Sequence, residues 1–344
     1  MILLVTRPEV EAPSGGDLYN RFFVNALLDM GLPARLCAVD ALAEETLADA
    51  RDVCVIADGL VAAWPMRVYL PWLEHRSVVH RILLNHVPAA ALGSEGAGRR
   101  KAEADLTAQC DAVVFSSAHA RSVAPPEAQQ KPWWVMHPGR SPDGIGPSRT
   151  RWRDASGVLS LLCLGAISEH KQSLALLEAF AACRQASRCR LRFAGPLTEA
   201  AYGARFLEAS AAAAARGCNV EYLGALRRAD VWISIEQSDA MIVASRYESF
   251  GMSALEAVQL GLPVIFAAAG GPAEWLTSGR DSLQLLALTP EHLDEAITTL
   301  TTRGASLREG ARRLGEAWPS WQTQATRFMA WLRRDARMEA CSWA

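Results

Sequence analysis

The sequence lacks the short motifs that mark several large enzyme classes. It contains no His-Glu-x-x-His, no Gly-x-Ser-x-Gly and no phosphate-binding loop that ends in Gly-Lys-Ser or Gly-Lys-Thr. Zinc protease, serine hydrolase and P-loop hypotheses therefore have no support. It also has no Asp-x-Asp pair, the arrangement of carboxylates that holds a divalent cation against a diphosphate. We expect no metal site.

Cysteine is present but never as a Cys-x-x-Cys pair. Several of the cysteines lie inside apolar, strand-like runs, which is typical of buried thiols. This usage fits a reducing cytosol and argues against a disulfide framework and against a zinc site. The eight cysteines are at positions 37, 54, 110, 163, 183, 189, 218 and 341.

An excess of one charge is absent as well. The chain has 35 Lys and Arg against 37 Asp and Glu, a net charge of -2, so it lacks the basic field that nucleic-acid binding uses. The one local exception is Arg99-Arg100-Lys101. We interpret it as the solvated start of a helix rather than a contact with an anionic membrane, because stable surface binding needs more charges.

Long hydrophobic runs are missing too. Residues 1–6 are apolar only over the length of a strand and are followed at once by Arg7 and Pro8, so they form neither a signal peptide nor a membrane span. No other run reaches spanning length. We expect a cytoplasmic protein with at most peripheral contact at the inner face of a membrane.

What is present is an alternation of strand-like and helical segments. The chain has 344 residues, of which 50% are apolar, and this suits two domains of about 150 residues each. Strand and helix alternate throughout, which predicts α/β domains with parallel, doubly wound, Rossmann-like sheets. The predicted organisation is a first domain 1–138, a linker 139–157 rich in Gly, Pro, Ser and Arg, a second domain 158–318 and a last helix in 319–344.

The individual elements are predicted from periodicity and from turn residues. Predicted strands cover 2–6, 34–39, 53–57, 77–85, 112–116 and 133–136 in the first domain, and 158–164, 191–194, 220–223, 240–244 and 261–267 in the second. Predicted helices cover 17–31, 173–186, 200–216, 252–260, 291–302 and 305–317, followed by a last amphipathic helix that starts at Pro319-Ser320.

The segment Glu248-Ser-Phe-Gly-Met-Ser-Ala-Leu-Glu256 carries the most information about function. Two carboxylates flank a Phe-Gly turn between two predicted buried strands, and a helix begins at Met252. The start of such a helix directs unpaired backbone N–H groups at the crevice above the sheet, where they bind phosphate. Ionised glutamates accept hydrogen bonds from sugar hydroxyls. This pattern predicts a nucleotide-sugar site.

The same segment resembles the signature of the family 4 glycosyltransferases, retaining enzymes with the GT-B fold. The resemblance covers nearly all of residues 158–335 and extends more loosely to the first domain. It implies two Rossmann-like domains that face each other across a cleft, with a last helix that crosses back to brace the first domain. It also implies transfer of a sugar from a nucleotide diphosphate sugar without metal or cofactor.

The resemblance assigns roles to the residues of the motif and to one lysine. Glu256 would bind the ribose, while Glu248 and nearby backbone would bind the transferred sugar. Lys171 alone would be interpreted as a solvated surface charge, but its position resembles the phosphate-binding lysine of the family, which stabilises the departing diphosphate. The donor-binding residues implied between the two glutamates are Ser249, Phe250, Gly251, Met252 and Ser253.

Two features of the first domain gain a role only through the resemblance. Gly15-Gly16 alone is better explained by a structural turn, but it resembles the glycine-rich loop that lines the donor diphosphate and the acceptor cleft. His86 alone is more often a structural histidine, yet it is similar to a family histidine that faces the donor sugar. We list Glu248, His86 and Lys171 as candidate catalytic residues.

The chain departs from the family pattern at Ala166. The family usually has an arginine directly after the strand glycine, which is Gly165 here. Diphosphate binding would then rely on Lys171 and the start of the 252–260 helix, or Arg246 would partly substitute.

Alternatives remain open at this point. A nucleotide-sugar epimerase or hydrolase on the same architecture would show the same motif, and so would a catalytically silent nucleotide-sugar-binding partner, for which Ala166 is the best support. UDP is the commonest base in the family and GDP the next. The acceptor is a lipid-linked glycan, a polysaccharide or a small metabolite, and the sequence does not choose among them.

Overall fold

The computed structural model describes residues 1–10, 13–42, 51–92, 96–144, 157–267 and 269–335. The chain divides into two compact units, residues 1–142 with 319–344, and residues 143–318. Most of the predicted linker, residues 145–156, lies outside the described residues.

The first unit contains a parallel sheet of six strands in the order β2-β1-β3-β4-β5-β6. The central strands β1 and β3 are buried along their whole length, as expected where helices cover both faces of a parallel sheet. The strands are β1 (Ile2–Thr6), β2 (Ala34–Ala38), β3 (Val53–Asp58), β4 (Val78–Asn85), β5 (Ala112–Phe115) and β6 (Trp133–Val135). The helices are α1 (Gly15–Asp29), α2 (Met66–Leu73), α3 (Ala97–Gln109), α4 (Ala118–Ser122), α5 (Pro126–Gln129) and, at the end of the chain, α12 (Trp321–Asp335).

Helix α12 packs against α1 within the first unit. The rings of Phe328 and Phe23 meet edge to face at 5.2 Å, and those of Trp321 and Tyr19 at 4.8 Å. The apolar stripe predicted for the last helix therefore buries aromatic side chains against the first helix of the chain.

The second unit contains another parallel sheet of six strands, in the order β14-β12-β10-β7-β8-β9. A short pair, β11 and β13, lies outside it. The strands are β7 (Leu159–Leu164), β8 (Cys189–Ala194), β9 (Val220–Tyr222), β10 (Ala240–Val243), β11 (Tyr247–Glu248), β12 (Val264–Phe266), β13 (Ala269–Gly270) and β14 (Ser282–Gln284). The helices are α6 (Ser173–Ala182), α7 (Ala200–Ala215), α8 (Arg228–Glu236), α9 (Met252–Gln259), α10 (Pro272–Trp275) and α11 (Pro290–Ala317).

The predicted fold class is thus confirmed as two parallel α/β sheets. Among the helices of the described residues, none combines the length and the apolar character that crossing a bilayer demands.

Two element predictions were wrong. The helices predicted at 291–302 and 305–317 are one helix, α11, because Gly304 is buried in the middle of it rather than ending it. Two further glycines of α11 serve packing, since a Cβ at Gly310 would lie 2.0 Å from the Arg280 oxygen and one at Gly315 2.4 Å from the Val258 oxygen.

The second wrong prediction concerns the glycine pair after β1. Gly15 and Gly16 are the first two residues of α1 rather than a loop. The capping residue is Ser14, whose side chain accepts from the Asp17 backbone N–H while the Asp17 carboxylate accepts from the Ser14 backbone N–H. This reciprocal cap starts the helix two residues earlier than the apolar periodicity indicated.

Candidate active site

The Phe-Gly turn of the second unit is held by backbone pairing. Strand β11 places Glu248 opposite Gly270 of β13, and the Gly271 N–H donates to the Glu248 carbonyl oxygen at 2.8 Å. A Cβ on Gly271 would lie 2.1 Å from the Ser249 oxygen. Any residue other than glycine at position 271 would therefore clash with the backbone of the Phe-Gly turn. The Gly270-Gly271 pair therefore fixes the backbone on which Glu248 stands.

Aromatic side chains also pack against this Phe-Gly turn. The Phe250 ring stacks on Trp275 at 5.2 Å with an interplanar angle of 9°, and the Trp275 indole N–H donates to the Phe250 carbonyl oxygen at 3.1 Å. Trp318 packs against both rings. Gly251 then takes φ +91°, which favours glycine, and α9 begins at Met252 with no side chain capping its first N–H groups. The helix start thus directly follows a turn that is packed by aromatic side chains.

Lys171 and Glu248 form the central ion pair of the second unit. The Lys171 Nζ lies 2.5 Å from Glu248 Oε1, and the Ser245 hydroxyl donates to the same oxygen at 2.7 Å. Burial alone would raise the pKa of Glu248, but the Lys171 charge and the hydrogen bonds from Lys171 and Ser245 outweigh it, so this pKa lies below its usual value. The carboxylate is therefore ionised and can only accept hydrogen bonds.

This pair lines a small cleft at the carboxyl ends of β7 and β10, where ligands of open α/β sheets bind. Gly165 lies beside the aliphatic part of Lys171 in this cleft, since a Cβ there would be 3.6 Å from Lys171 Cε. Ala166 also lines the cleft, so the departure from the family pattern falls within it. Arg246 is not among the residues that line this cleft, and its guanidinium lies 2.9 Å from exposed Glu169.

Glu256 lies farther along α9 and has a different partner. Its carboxylate is buried, and Oε1 is 2.6 Å from the Arg228 guanidinium at the start of α8. The same guanidinium lies 2.7 Å from Asp143. Burial opposes the charge of Arg228, yet hydrogen bonds and attraction from these two carboxylates raise its pKa further above an already high value. Sequence reasoning missed Arg228, whose only indication was its place at a helix start.

His86 and the glycine pair lie together in the first unit. A Cβ on Gly16 would be 3.5 Å from His86 Cδ2, which is ordinary contact. The imidazole Nε2 is 3.0 Å from Asn20 Oδ1, and the ring meets Tyr19 edge to face at 4.6 Å. Burial lowers the pKa of His86, and the attraction of Asp58 and Asp17 only partly offsets this. The histidine is therefore neutral near pH 7.

Comparisons with known proteins agree with the observed fold. Residues 149–318 match the family described as glycosyl transferases group 1. A glycogen synthase from Mycobacterium tuberculosis is 28% identical over 108 residues, which is 30% of this chain and 26% of that protein. The chain thus spans about a quarter of the length of this curated relative.

Solved structures match over nearly the whole chain. Sucrose-phosphate synthase from Thermosynechococcus elongatus superposes with a TM-score of 0.79 at 16% identity, covering 96% of this chain and 98% of that one. HepE from Anabaena in complex with UDP and glucose gives a TM-score of 0.72 at 15% identity, covering 97% and 99%. These likenesses show the GT-B fold. The family match over residues 149–318 agrees with the predicted class, a glycosyltransferase.

Proposed function

We propose that the protein is a retaining, metal-independent glycosyltransferase of family 4 character. It moves a sugar from a nucleotide diphosphate sugar, with a UDP-sugar as first choice, to a hydroxyl of an acceptor. The observation that carries the proposal is the Lys171–Glu248 pair of 2.5 Å at the carboxyl ends of β7 and β10, close in sequence to the uncapped start of α9.

The proposed mechanism works through positioning and charge. Lys171 and the first N–H groups of α9 would stabilise the charge that develops on the leaving diphosphate. A phosphate that approaches Lys171 would compete with Glu248 for the lysine ammonium group. The Glu248 carboxylate would then accept hydrogen bonds from hydroxyls of the sugar. The leaving phosphate takes the acceptor proton, so the reaction needs no separate general base. The positive charge that a metal would supply comes from the lysine and the helix.

Glu256 would accept hydrogen bonds from the ribose hydroxyls. Arg228 and Asp143 support this role, because the guanidinium holds one carboxylate oxygen of Glu256 at 2.6 Å. The ribose would bind beside this contact. UDP is the first choice because the HepE structure contains UDP and the family uses it most, with GDP as the alternative.

The acceptor is proposed only as a hydroxyl compound, a lipid-linked glycan, a polysaccharide or a small metabolite. We also propose a cytoplasmic location, with at most peripheral contact at the inner face of the membrane, which the short hydrophobic runs of the sequence support. His86 and the start of α1 would contribute to binding the donor sugar and the acceptor.

The test is incubation with a panel of UDP- and GDP-sugars, with and without candidate acceptors, in the presence and absence of EDTA. We expect free nucleotide and a new glycoside whose anomeric configuration, read by NMR, equals that of the donor. Free sugar without acceptor would indicate a hydrolase, and binding without turnover would indicate a silent binding partner. A Glu256→Ala variant with unchanged donor affinity would contradict the assigned ribose contact.

A further inference from the structure

A buried hydrogen-bond network in the first unit ends on His86. It joins Thr6 at the end of β1, Asn20 in α1, Asp58 at the end of β3 and His86 directly after β4. Asn20, Asp58 and His86 are 0%, 1% and 8% exposed. Strands β1, β3 and β4 are neighbours in the sheet, so the network lies at the edge where parallel α/β sheets bind ligands.

Asp58 determines which group donates and which accepts in each hydrogen bond of this network. Its Oδ1 accepts from the Leu60 backbone N–H at 3.0 Å, and its Oδ2 accepts from Asn20 Nδ2 at 2.6 Å and from the Thr6 hydroxyl at 3.3 Å. A carboxylate has no proton to donate. The amide NH₂ of Asn20 must therefore face Asp58, which leaves the amide oxygen facing His86.

The amide oxygen in turn fixes the proton of the imidazole. Asn20 Oδ1 lies 3.0 Å from His86 Nε2 and can only accept, so Nε2 carries the N–H. A neutral imidazole has one N–H, and its other nitrogen keeps a lone pair. His86 is neutral near pH 7 because burial outweighs the attraction of Asp58 and of Asp17, and Asp17 is itself paired with Arg7. Nδ1 is thus a hydrogen-bond acceptor.

We propose that Asn20 and Asp58 are positioning residues that hold His86 as the Nε2–H tautomer, so that Nδ1 accepts a hydrogen bond from a substrate hydroxyl. The nature of the substrate rests on the proposed function, whereas the tautomer does not. Tyr19 supports the arrangement, because its edge-to-face contact at 4.6 Å restrains the ring plane.

The test is a measurement of the His86 tautomer by long-range ¹H–¹⁵N NMR on the labelled full chain at pH 7. The chain has seven histidines, and a His86→Gln spectrum assigns the signal. We expect protonated Nε2 and unprotonated Nδ1. Asp58→Asn is the informative variant, because its amide oxygen would keep the Leu60 contact and its NH₂ would then face Asn20. The Asn20 amide would turn over, and the major tautomer would become Nδ1–H.

Asn85→Ala serves as the matched control. Asn85 is also a buried amide at this sheet edge, but it donates to Glu103 at 2.7 Å and takes no part in the network, so the tautomer should not change. Asn20→Ala should leave a mixture of both tautomers. The inference is overturned if the parent protein carries the proton on Nδ1, or if Asp58→Asn folds and keeps the parent tautomer.

These readouts need no substrate, so they separate this inference from the proposed function. Absence of sugar transfer together with Nε2–H in the parent would reject the function and retain the positioning roles. In an active enzyme, Asp58→Asn should raise KM about tenfold through loss of one hydrogen bond to substrate. An unchanged KM would reject the hydroxyl contact at Nδ1.

Discussion

At the scale of single residues, the proposed site depends on Lys171, a cation whose side chain is 29% exposed beside a carboxylate that is 12% exposed. A surface ion pair contributes little to stability, but this one is largely removed from water on the side of Glu248. Its geometry therefore favours a role in binding and catalysis, where a preorganised charge acts on a developing charge.

We expect Lys171→Gln to lower kcat by about 100-fold or more, since removal of one preorganised group that stabilises developing charge has effects of this order. The pKa of Glu248 should rise at the same time, because its main partner is lost. Steady-state kinetics and NMR titration would measure the two effects. Lys101→Gln, on the exposed face of α3, is the control. A variant with higher KM and unchanged kcat would show that Lys171 only binds the donor.

Sequence reasoning predicted Glu248, Glu256 and Lys171 but not the residues that orient them. Ser245 and Arg228 were missed, because a serine in a turn and an arginine at a helix start have no distinctive spacing. Their contacts arise only when distant segments pack, as with Arg228 and Asp143, which are 85 positions apart in the chain.

At the scale of elements, two helices of the second unit are joined by one carboxylate. Asp294 of α11 accepts from the thiol of Cys183, which ends α6, at 2.7 Å, and from the backbone N–H groups of Arg184 and Gln185 at 3.2 and 2.9 Å. Burial alone would raise the pKa of Asp294, but these hydrogen bonds lower it to about 2. The ionised group thus ties the end of α6 to α11.

Asp294→Asn should therefore lower the free energy of unfolding by roughly 1 to 2 kcal/mol at pH 7. The folded-state pKa lies below the unfolded value of 3.8, so this contribution is present above about pH 4 and is lost as the pH falls towards 2. Urea unfolding from pH 7 to pH 2 would show the difference between the two proteins shrink. Glu295→Gln, at the exposed neighbouring position, should change little. A difference that stays constant with pH would contradict this account.

Gly271 tests the support of the Phe-Gly turn. Its backbone is helical, so Gly271→Ala introduces a steric change alone, a Cβ that would be 2.1 Å from the Ser249 oxygen and 2.5 Å from Phe250 Cα. We expect a loss of roughly 1 to 3 kcal/mol in stability together with weaker donor binding, measured by thermal unfolding and calorimetry.

Gly98→Ala is the matched control, because nothing lies within 4 Å of the added Cβ in α3. It should be neutral or slightly stabilising. Equal effects of the two substitutions would show that the turn does not depend on this close approach.

Element boundaries were predictable where apolar periodicity was strong. β10 and α9 end within one residue of their predicted limits. Glycine caused the failures, because the sequence alone does not distinguish a glycine that ends a helix from one that permits close packing. In α11, Gly304, Gly310 and Gly315 lie inside the helix, although the sequence predicted a break at residues 303–304.

At the scale of the whole molecule, each unit has its own apolar core. Phe328 of α12 is 1% exposed in the first unit, and Phe206 of α7 is 0% exposed in the second. Phe328→Ala should lower the free energy of unfolding by roughly 3 to 5 kcal/mol and raise amide hydrogen exchange in β1 and α1. Phe206→Ala should instead raise amide hydrogen exchange in β8 and α7.

Hydrogen exchange with mass spectrometry compares the two variants, each of which serves as the control for the other. Reciprocal patterns would support two separately stabilised units. Equal effects of both substitutions on all peptides would show that the chain unfolds as one cooperative body.

The contact between Asp143 and Arg228 also matters for the path of the chain. Asp143 is the first residue of the second unit, and it shares one guanidinium with Glu256. At the start of this unit, the chain is therefore linked through Arg228 to α9, the helix that carries the proposed ribose contact. Loss of the Arg228 guanidinium would therefore release two carboxylates at once, the one at the start of this unit and the one of the proposed ribose contact.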